Sequence, residues 1–129
     1  MKILICEKEE VLLTALEFRL RKQGYEVEVA PDGKKALERI RKQQPDLAVI
    51  GMECKKMSGL EIIGELRQSL NISLPIMIIA PLEAEEEIME AFRLGAIDFV
   101  TKPFKPVELV LRVRRIFEHL KEQAAGREG

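Results

Sequence analysis

The sequence predicts an α/β domain with a doubly wound parallel sheet and helices on both faces. Short apolar runs alternate strictly with longer segments of helical periodicity, and no internal repeat or low-complexity segment interrupts them. Strands that alternate with helices pair in parallel through right-handed crossovers. At 129 residues the chain has the usual size of one such domain, so we expect a single hydrophobic core region.

Five apolar runs have the length of β-strands. The first, third and fourth are continuously apolar, which is typical of central strands covered on both faces. The second run alternates, with Glu26 and Glu28 between apolar residues, as an edge strand does. The predicted strands are Lys2–Cys6, Tyr25–Val29, Leu47–Gly51, Pro75–Ile79 and Asp98–Thr101.

Helical spacing of apolar residues marks the segments that follow each strand. Gly24 and Gly95 are C-terminal stop signals, Ser58 is a candidate N-cap and Pro106 opens the last helix. The predicted helices are centred on Val11–Leu20, Ala36–Ile40, Leu60–Leu66, Glu83–Leu94 and Pro106–Glu122. The domain is therefore expected to cover residues 1–122, with 123–129 a disordered tail or the start of a linker.

Charge and composition exclude several function classes. Lys and Arg number 21 against 22 Asp and Glu, and because nucleic-acid binders usually carry a basic excess, no nucleic-acid contact is expected through this domain. Aromatic residues make up 5% with no Trp, so base stacking is not expected. The apolar runs are far shorter than the ~20 residues that cross a bilayer, so we expect a cytoplasmic protein without membrane contact.

The two cysteines lack the number and spacing of a disulfide framework or a zinc site. Cys6 ends the first strand in an apolar row and is expected in the core, whereas Cys54 is expected to be more exposed on the loop after the third strand. We interpret both as reduced thiols. A redox disulfide between these neighbouring strand ends is the less favoured alternative, because the cytosol is reducing.

Several spaced segments, read in order, resemble those of a response-regulator receiver domain of the CheY-like type. They are KILICEKEE, PDLAVIG followed by MSGLEII, LPIMIIAP, and RLGAIDFVTKPF. The resemblance runs from Met1 to about Leu120 and implies a flavodoxin-like, three-layer α/β/α fold, with five parallel strands in the order 2-1-3-4-5 and five helices. The segment ELVLRVRRIF further resembles the OmpR-type branch, whose receivers precede a DNA-binding output domain.

The resemblance implies four functional groups at the carboxyl ends of the strands. An acidic pair holds Mg²⁺, an aspartate accepts a phosphoryl group, a Thr or Ser contacts that group and a Lys pairs with it. The lysine is present as Lys102. The other positions depart from the pattern: Glu7 and Lys8 at the acidic pair, Gly51 at the acceptor, Ala80 at the hydroxyl and Phe99 at the switch aromatic.

These departures predict a degenerate pseudo-receiver without a phosphoacceptor aspartate. Gly51 has no nucleophile, Ala80 has no hydroxyl, and the ammonium of Lys8 repels a cation. We therefore expect no catalysis, no cofactor and no bound metal, Mg²⁺ included. An ion pair is expected to fill the emptied pocket instead, formed by Glu7 or Glu53 with Lys102, Lys8 or Lys55.

Helix five carries more apolar residues than one buried stripe accounts for. In OmpR-type receivers, helix four, strand five and helix five form a symmetric dimer, and the resemblance implies the same surface here. We predict a homodimer through this surface, or contact with a protein partner or output domain; an apolar monomer surface is the alternative. The implied interface residues are Ile88, Phe92 and Val110 in an apolar cluster, and Asp98 with Arg112 in an ion pair.

The leading prediction is an atypical receiver domain in two-component or phosphorelay-type signal transduction that works by phosphorylation-independent protein–protein interaction. Three alternatives remain: an active receiver phosphorylated at a non-standard residue, the receiver half of a truncated OmpR-type transcriptional regulator, and a flavodoxin-like cofactor binder. The last is disfavoured, because a phosphate-binding loop would be rich in Gly, Ser and Thr where this chain has Glu7-Lys8-Glu9-Glu10.

Overall fold

A five-stranded parallel sheet forms the centre of the computed structural model, which describes residues 1–128. The strand order β2-β1-β3-β4-β5 confirms the order expected from the sequence, and each of the four neighbouring pairs is parallel. The strands are β1 (Lys2–Cys6), β2 (Glu26–Ala30), β3 (Leu47–Gly51), β4 (Ile76–Ala80) and β5 (Asp98–Thr101).

Helices follow the five strands. They are α1 (Glu10–Lys22), α2 (Gly33–Lys42), α3 (Gly59–Gly64), α4 (Glu85–Arg93) and α5 (Pro106–Glu128). Helix α3 continues directly into a π-helical turn over Glu65–Ser69. Among the described residues, no helix is both long enough and apolar enough to cross a membrane.

The sheet separates two apolar cores. One core packs strand residues such as Leu4 and Ile50 against α2, α3 and α4, and the other packs alternate residues such as Ile3 and Val49 against α1 and α5. Every residue of β3 and β4 is buried, because both faces of a central strand are covered. At the edge strand β2, Glu26 is exposed, in agreement with its alternating sequence.

Side-chain caps set where two of the helices begin. The Oγ of Ser58 accepts a hydrogen bond from the backbone N–H of Glu61 at 3.2 Å, and the Glu61 carboxylate accepts from the Ser58 N–H in return. This capping box confirms the predicted N-cap of α3. Asp32 caps α2 in the same way, accepting from the Lys35 N–H at 2.8 Å.

Some element ends differ from the sequence prediction. Strands β2 and β4 each lie one residue further along the chain than predicted. Helix α5 continues to Glu128, past its predicted end at Glu122, while the division into a domain over residues 1–122 and a tail or linker over 123–129 stays a prediction. Ala124 and Ala125 favour the helix, and Gly126 costs only about 1 kcal/mol relative to Ala at such a position. Gly129 lies outside the described residues.

Arg67 joins the end of the π-helical turn to the end of α4. Its guanidinium donates hydrogen bonds to the carbonyls of Leu94 at 3.1 Å, Ile72 at 2.6 Å and Leu74 at 2.5 Å. Gly95, in the left-handed region at φ 95°, ends α4. A Cβ at this position would lie 3.2 Å from Arg67 Nε, so glycine provides both the turn and the space for the guanidinium.

Replacing Arg67 with Met should lower the free energy of unfolding by about 2–3 kcal/mol, because partly buried carbonyls lose a charged donor. Urea denaturation followed by circular dichroism measures this. Arg93→Met is the matched control, since exposed Arg93 pairs with Glu90 inside α4 and its loss should cost at most about 0.5 kcal/mol. Equal losses in the two variants would contradict this role for Arg67.

Candidate functional site

The predicted site residues lie together at one edge of the sheet, at the carboxyl ends of strands β1, β3, β4 and β5. Cα pairs join Cys6 to Ile50, Gly51 to Ile79 and Ala80 to Thr101, so the loops that follow these strands are neighbours. In open α/β sheets this edge is where ligands bind. Glu7, Gly51 and Lys102 meet at its centre.

Glu7 and Lys102 form a largely buried ion pair. The Lys102 Nζ lies 2.8 Å from Glu7 Oε2 and 3.2 Å from Glu9 Oε1. The side chain of Glu7 is 2% exposed and that of Lys102 is 18% exposed. The backbone N–H of Glu9 also donates to Glu7 Oε2, at 2.8 Å. Two charge-assisted hydrogen bonds therefore hold one oxygen of this carboxylate.

The surroundings of Lys102 keep it charged. Burial lowers its pKa, but the hydrogen bonds and negative charges of Glu7 and Glu9 outweigh burial, and the net effect is a raised pKa for Lys102. The stabilisation that follows is present at neutral pH and is lost as the pH rises through the folded-state pKa of Lys102. The peptide bond from Lys102 to Pro103 is cis.

Gly51 leaves a space that the Glu7 side chain fills. A Cβ at position 51 would lie 2.6 Å from Glu7 Oε1 and 3.4 Å from the Cys6 carbonyl oxygen. The backbone of Gly51 is not in the left-handed region, so what glycine supplies here is room. The longer carboxylate at position 7 thus fits because position 51 has no side chain.

Lys8 and Glu53 form a second ion pair at the rim of the pocket. The Lys8 Nζ is 3.5 Å from Glu53 Oε1, and these side chains are 39% and 51% exposed. Exposed pairs of this kind contribute at most about 1 kcal/mol. Of the pairings expected from the sequence, the structure makes Glu7 with Lys102 and Lys8 with Glu53; the side chain of Lys55 is exposed.

Ala80 and Phe99 pack into the domain. Ala80 is fully buried at the end of β4, and its carbonyl accepts the backbone N–H of Lys102 at 2.9 Å. The ring of Phe99 packs edge-on against Phe92 of α4, with 5.8 Å between ring centroids. Neither position offers an oxygen to the pocket, since Phe has no hydroxyl and Ala80 uses its backbone in the sheet.

The residues of the pocket do not fit Mg²⁺. This cation takes an octahedral set of oxygens, with carboxylates supplied by the protein. The buried carboxylate of Glu7 is already bound by Lys102, Lys8 stands beside it, and Gly51 offers no side-chain oxygen. In the part of the chain that the structure describes, no group of three or more His, Cys, Asp or Glu side chains could hold a metal ion.

Two features of this edge were not anticipated from the sequence. Glu9 is a second partner of Lys102, which its place in the run of charges after β1 does not reveal. Cys54, expected to be more exposed, is buried at 9% exposure. Its thiol donates to the carbonyls of Gly51 at 3.0 Å and Cys6 at 3.4 Å, because the loop after β3 turns back over the end of β1.

Asp32 lies at the start of α2 beside the loop that follows β3. The hydrogen bond that Asp32 accepts from the Lys35 N–H lowers the pKa of the Asp32 carboxyl. The Lys56 ammonium, 3.5 Å from the same carboxylate, lowers this pKa further. The backbone N–H of Gly33 in turn donates to the Lys55 carbonyl at 2.9 Å. An Asp before a predicted helix is an N-cap signal, so the sequence contained this information.

The residues implied for an interface occupy α4, β5 and α5, but two details differ from expectation. Val110 is only 6% exposed, because it faces the sheet with Leu109, and therefore belongs to the core. Arg112 Nη1 contacts Asp98 Oδ1 at 3.0 Å within the same chain. Ile88 is partly buried against the core.

Four exposed apolar side chains line one groove on this surface, which we call the α4–β5–α5 patch. They are Phe92 (42% exposed), Ile97 (45%), Val107 (45%) and Leu111 (56%). The Asp98–Arg112 ion pair lies in the same groove. Apolar surface gathered in this way is typical of protein–protein contact sites.

The sequence of the chain is similar to those of known proteins. A family model of the response regulator receiver domain matches residues 3–114. The alkaline phosphatase synthesis transcriptional regulatory protein PhoP of Bacillus subtilis is 36% identical over 115 residues, covering 89% of this chain and 48% of that protein. The transcriptional regulatory protein RprY of Bacteroides fragilis is 33% identical over 121 residues, covering 94% and 51%.

A solved structure agrees in fold. The receiver domain of the Francisella response regulator 1452 matches with a TM-score of 0.84 at 28% identity, covering 92% of this chain and 98% of that structure. The chain spans about half the length of the curated relatives it matches. Together with the strand order, these matches show that the chain belongs to the response regulator receiver domain family, the CheY-like receivers of two-component signal transduction.

Proposed function

We propose that this receiver is a pseudo-receiver, which signals through contacts with other proteins and not through an aspartyl phosphate. The observation that carries the proposal is the position of the Glu7 side chain, which fills the space beside Gly51 and pairs with Lys102. The proposed domain is not an enzyme and uses no cofactor or Mg²⁺.

Phosphoryl transfer to a receiver needs a free carboxylate as nucleophile and a cation to neutralise the transferred charge. Position 51 supplies no carboxylate. Glu7 is a poor substitute, because its side chain is 2% exposed and one of its oxygens already accepts from Lys102 and from the Glu9 N–H. Exposed Glu53 is the remaining candidate for a non-standard phosphoryl acceptor. Its charged neighbour is Lys8 and not a metal ion.

The ion pair also has a structural role in this proposal. It joins the loop after β1 to the loop after β5, across 95 residues of sequence. A carboxylate this deeply buried is costly unless its charge is compensated. The Lys102 ammonium therefore holds both loops in one arrangement without any added phosphate.

Incubation with acetyl phosphate and Mg²⁺ should leave the intact mass of the protein unchanged, because no accessible carboxylate and cation converge. The control is a variant that restores the family pattern through Glu7→Asp, Lys8→Asp, Gly51→Asp and Ala80→Thr, which should gain one phosphoryl group. Glu7→Asp belongs in this set because a Cβ at position 51 meets Glu7 Oε1 at 2.6 Å. A stoichiometric acyl phosphate on the native sequence would end the proposal and support a non-standard acceptor.

Replacing Lys102 with Met should lower the free energy of unfolding by about 3 kcal/mol at neutral pH, because it leaves the buried Glu7 carboxylate uncompensated. Chemical denaturation measures this change. Lys8→Met is the matched control: its rim pair with Glu53 is exposed, and its loss should cost no more than about 1 kcal/mol. If Lys102→Met were as stable as the native sequence, the ion pair would not be holding the loops.

The α4–β5–α5 patch is the proposed contact surface, and its proposed occupant is a second copy of the chain. A two-fold pair would bring the apolar residues of one copy against those of the other, with Asp98–Arg112 pairs at the border. Two relatives named transcriptional regulatory proteins, of which the chain spans about half, support the further proposal that it is the receiver half of an OmpR-type regulator. A linked output domain would then be a second partner.

Leu111→Asp should convert a concentration-dependent dimer into a monomer, because it places a charge in the middle of the α4–β5–α5 patch. Light scattering and analytical ultracentrifugation over a concentration series measure the association. Val11→Asp, at an exposed apolar residue of α1 outside the patch, is the control and should leave the dimer intact. A native protein that stays monomeric at every soluble concentration, or an equal effect of both variants, would contradict the proposed surface.

A further inference from the structure

Cys6 and Cys54 lie together beneath the pocket. They are the only two cysteines in the sequence, they are separated by 48 residues, and they belong to the same apolar core. Cys6 is 1% exposed and Cys54 is 9% exposed, so the second thiol has limited access to solvent. The Cys54 Sγ donates to the Cys6 carbonyl at 3.4 Å and to the Gly51 carbonyl at 3.0 Å.

The two thiols also influence each other directly. A hydrogen bond with the Cys54 side chain lowers the pKa of Cys6, against burial and the negative charges of Asp32 and Glu7. The same thiol–thiol contact, together with burial, raises the pKa of Cys54. These shifts agree with the geometry, in which the Cys54 sulfur lies 3.4 Å from the carbonyl oxygen of Cys6 and both side chains belong to one core.

The backbone around the two residues can accommodate a short movement of one sulfur. Cys6 is fixed, because it ends β1 and pairs with Ile50 of β3. Cys54 lies in the irregular loop between β3 and α3, where the chain is not constrained by a strand or helix ladder. A disulfide requires sulfurs about 2.05 Å apart and Cα atoms roughly 4.4–6.8 Å apart. The Cys54 sulfur already lies 3.4 Å from the Cys6 carbonyl oxygen, so a movement of the loop that carries Cys54 is the step that would bring the two sulfurs together.

We propose that Cys6 and Cys54 form a reversible oxidation site, which a small hydroperoxide converts into an intramolecular disulfide. The inference stands on the juxtaposition of the two thiols and is independent of whether the domain is phosphorylated. The proposed disulfide would be a covalent modification at the same edge of the sheet where the family pattern has a phosphorylated aspartate.

The reaction balances with hydrogen peroxide as the oxidant. The thiolate of one cysteine attacks the O–O bond, which gives a sulfenic acid and, after protonation of the leaving hydroxide, one water molecule. The sulfur of the second cysteine then attacks the sulfenic sulfur, forms the S–S bond and releases a second water. Two thiols and one peroxide become one disulfide and two waters, and a dithiol reductant returns both thiols.

Oxidation would act on the pocket through its immediate neighbours. Cys6 precedes Glu7, and Cys54 follows Glu53, so each cysteine is adjacent in sequence to the carboxylate of one ion pair. The disulfide would tie the end of β1 to the loop after β3. It would also remove the thiol proton that Cys54 now donates to the Gly51 carbonyl.

The test uses the reduced full chain exposed to hydrogen peroxide, then unfolded in an alkylating reagent and measured by intact mass and peptide mapping. We expect the loss of two hydrogens, no alkylation, one cross-linked pair of peptides containing Cys6 and Cys54, and recovery of both thiols after dithiothreitol. Cys54→Ser keeps a hydroxyl donor and should show no cross-link within the chain.

Three results would overturn the proposal: two alkylated cysteines after peroxide treatment, added oxygen on either sulfur without a cross-link, or a disulfide that joins two chains. Amide NMR spectra of the native protein give a second measurement that does not depend on any variant. Oxidation should shift residues 6–9 and 51–58 and leave β2 residues 26 and 28 unchanged. A spectrum altered throughout would indicate unfolding and would also count against the site.

Discussion

The Glu7–Lys102 ion pair is the interaction on which the arrangement of the pocket depends. The Glu7 carboxylate is almost completely buried, and the nearby Lys102 ammonium offsets the free-energy cost of removing that charge from water. Glu9 and the backbone N–H of the same loop complete the environment of the two charges. The site is therefore filled by the chain's own side chains, and the loops around it are held by contacts that require no ligand.

The fold tolerates this change because its stability originates elsewhere. Two apolar cores on either side of the sheet are built mainly from residues of the strands and helices. Residues in the loops at the carboxyl edge can be replaced while the scaffold persists, which is why one fold supports different chemistry. Membership of the receiver family consequently establishes the architecture, whereas the activity has to be inferred from the residues at the edge.

The sequence predicted elements correctly where a residue pattern is typical of a single structure. It could not predict which of several adjacent apolar residues in a helix is buried. Continuous apolar runs placed β1 and β3 correctly, and Ser58 was recognised as a cap. In contrast, Leu109, Val110 and Leu111 are consecutive apolar residues, and only the packing of α5 shows that Leu111 alone faces solvent. The sequence also predicted several possible ion pairs in the pocket without deciding between them. The structure shows that Glu7 pairs with Lys102 and that Lys8 pairs with Glu53.

The reciprocal fit of Glu7 and Gly51 has a consequence for substitutions at either position. A side chain introduced at position 51 would meet the carboxylate of Glu7, which would have to leave its place beside Lys102 to make room. Shortening residue 7 first avoids the collision but leaves a void. The residue that position 51 accommodates therefore depends on the length and orientation of the side chain at position 7.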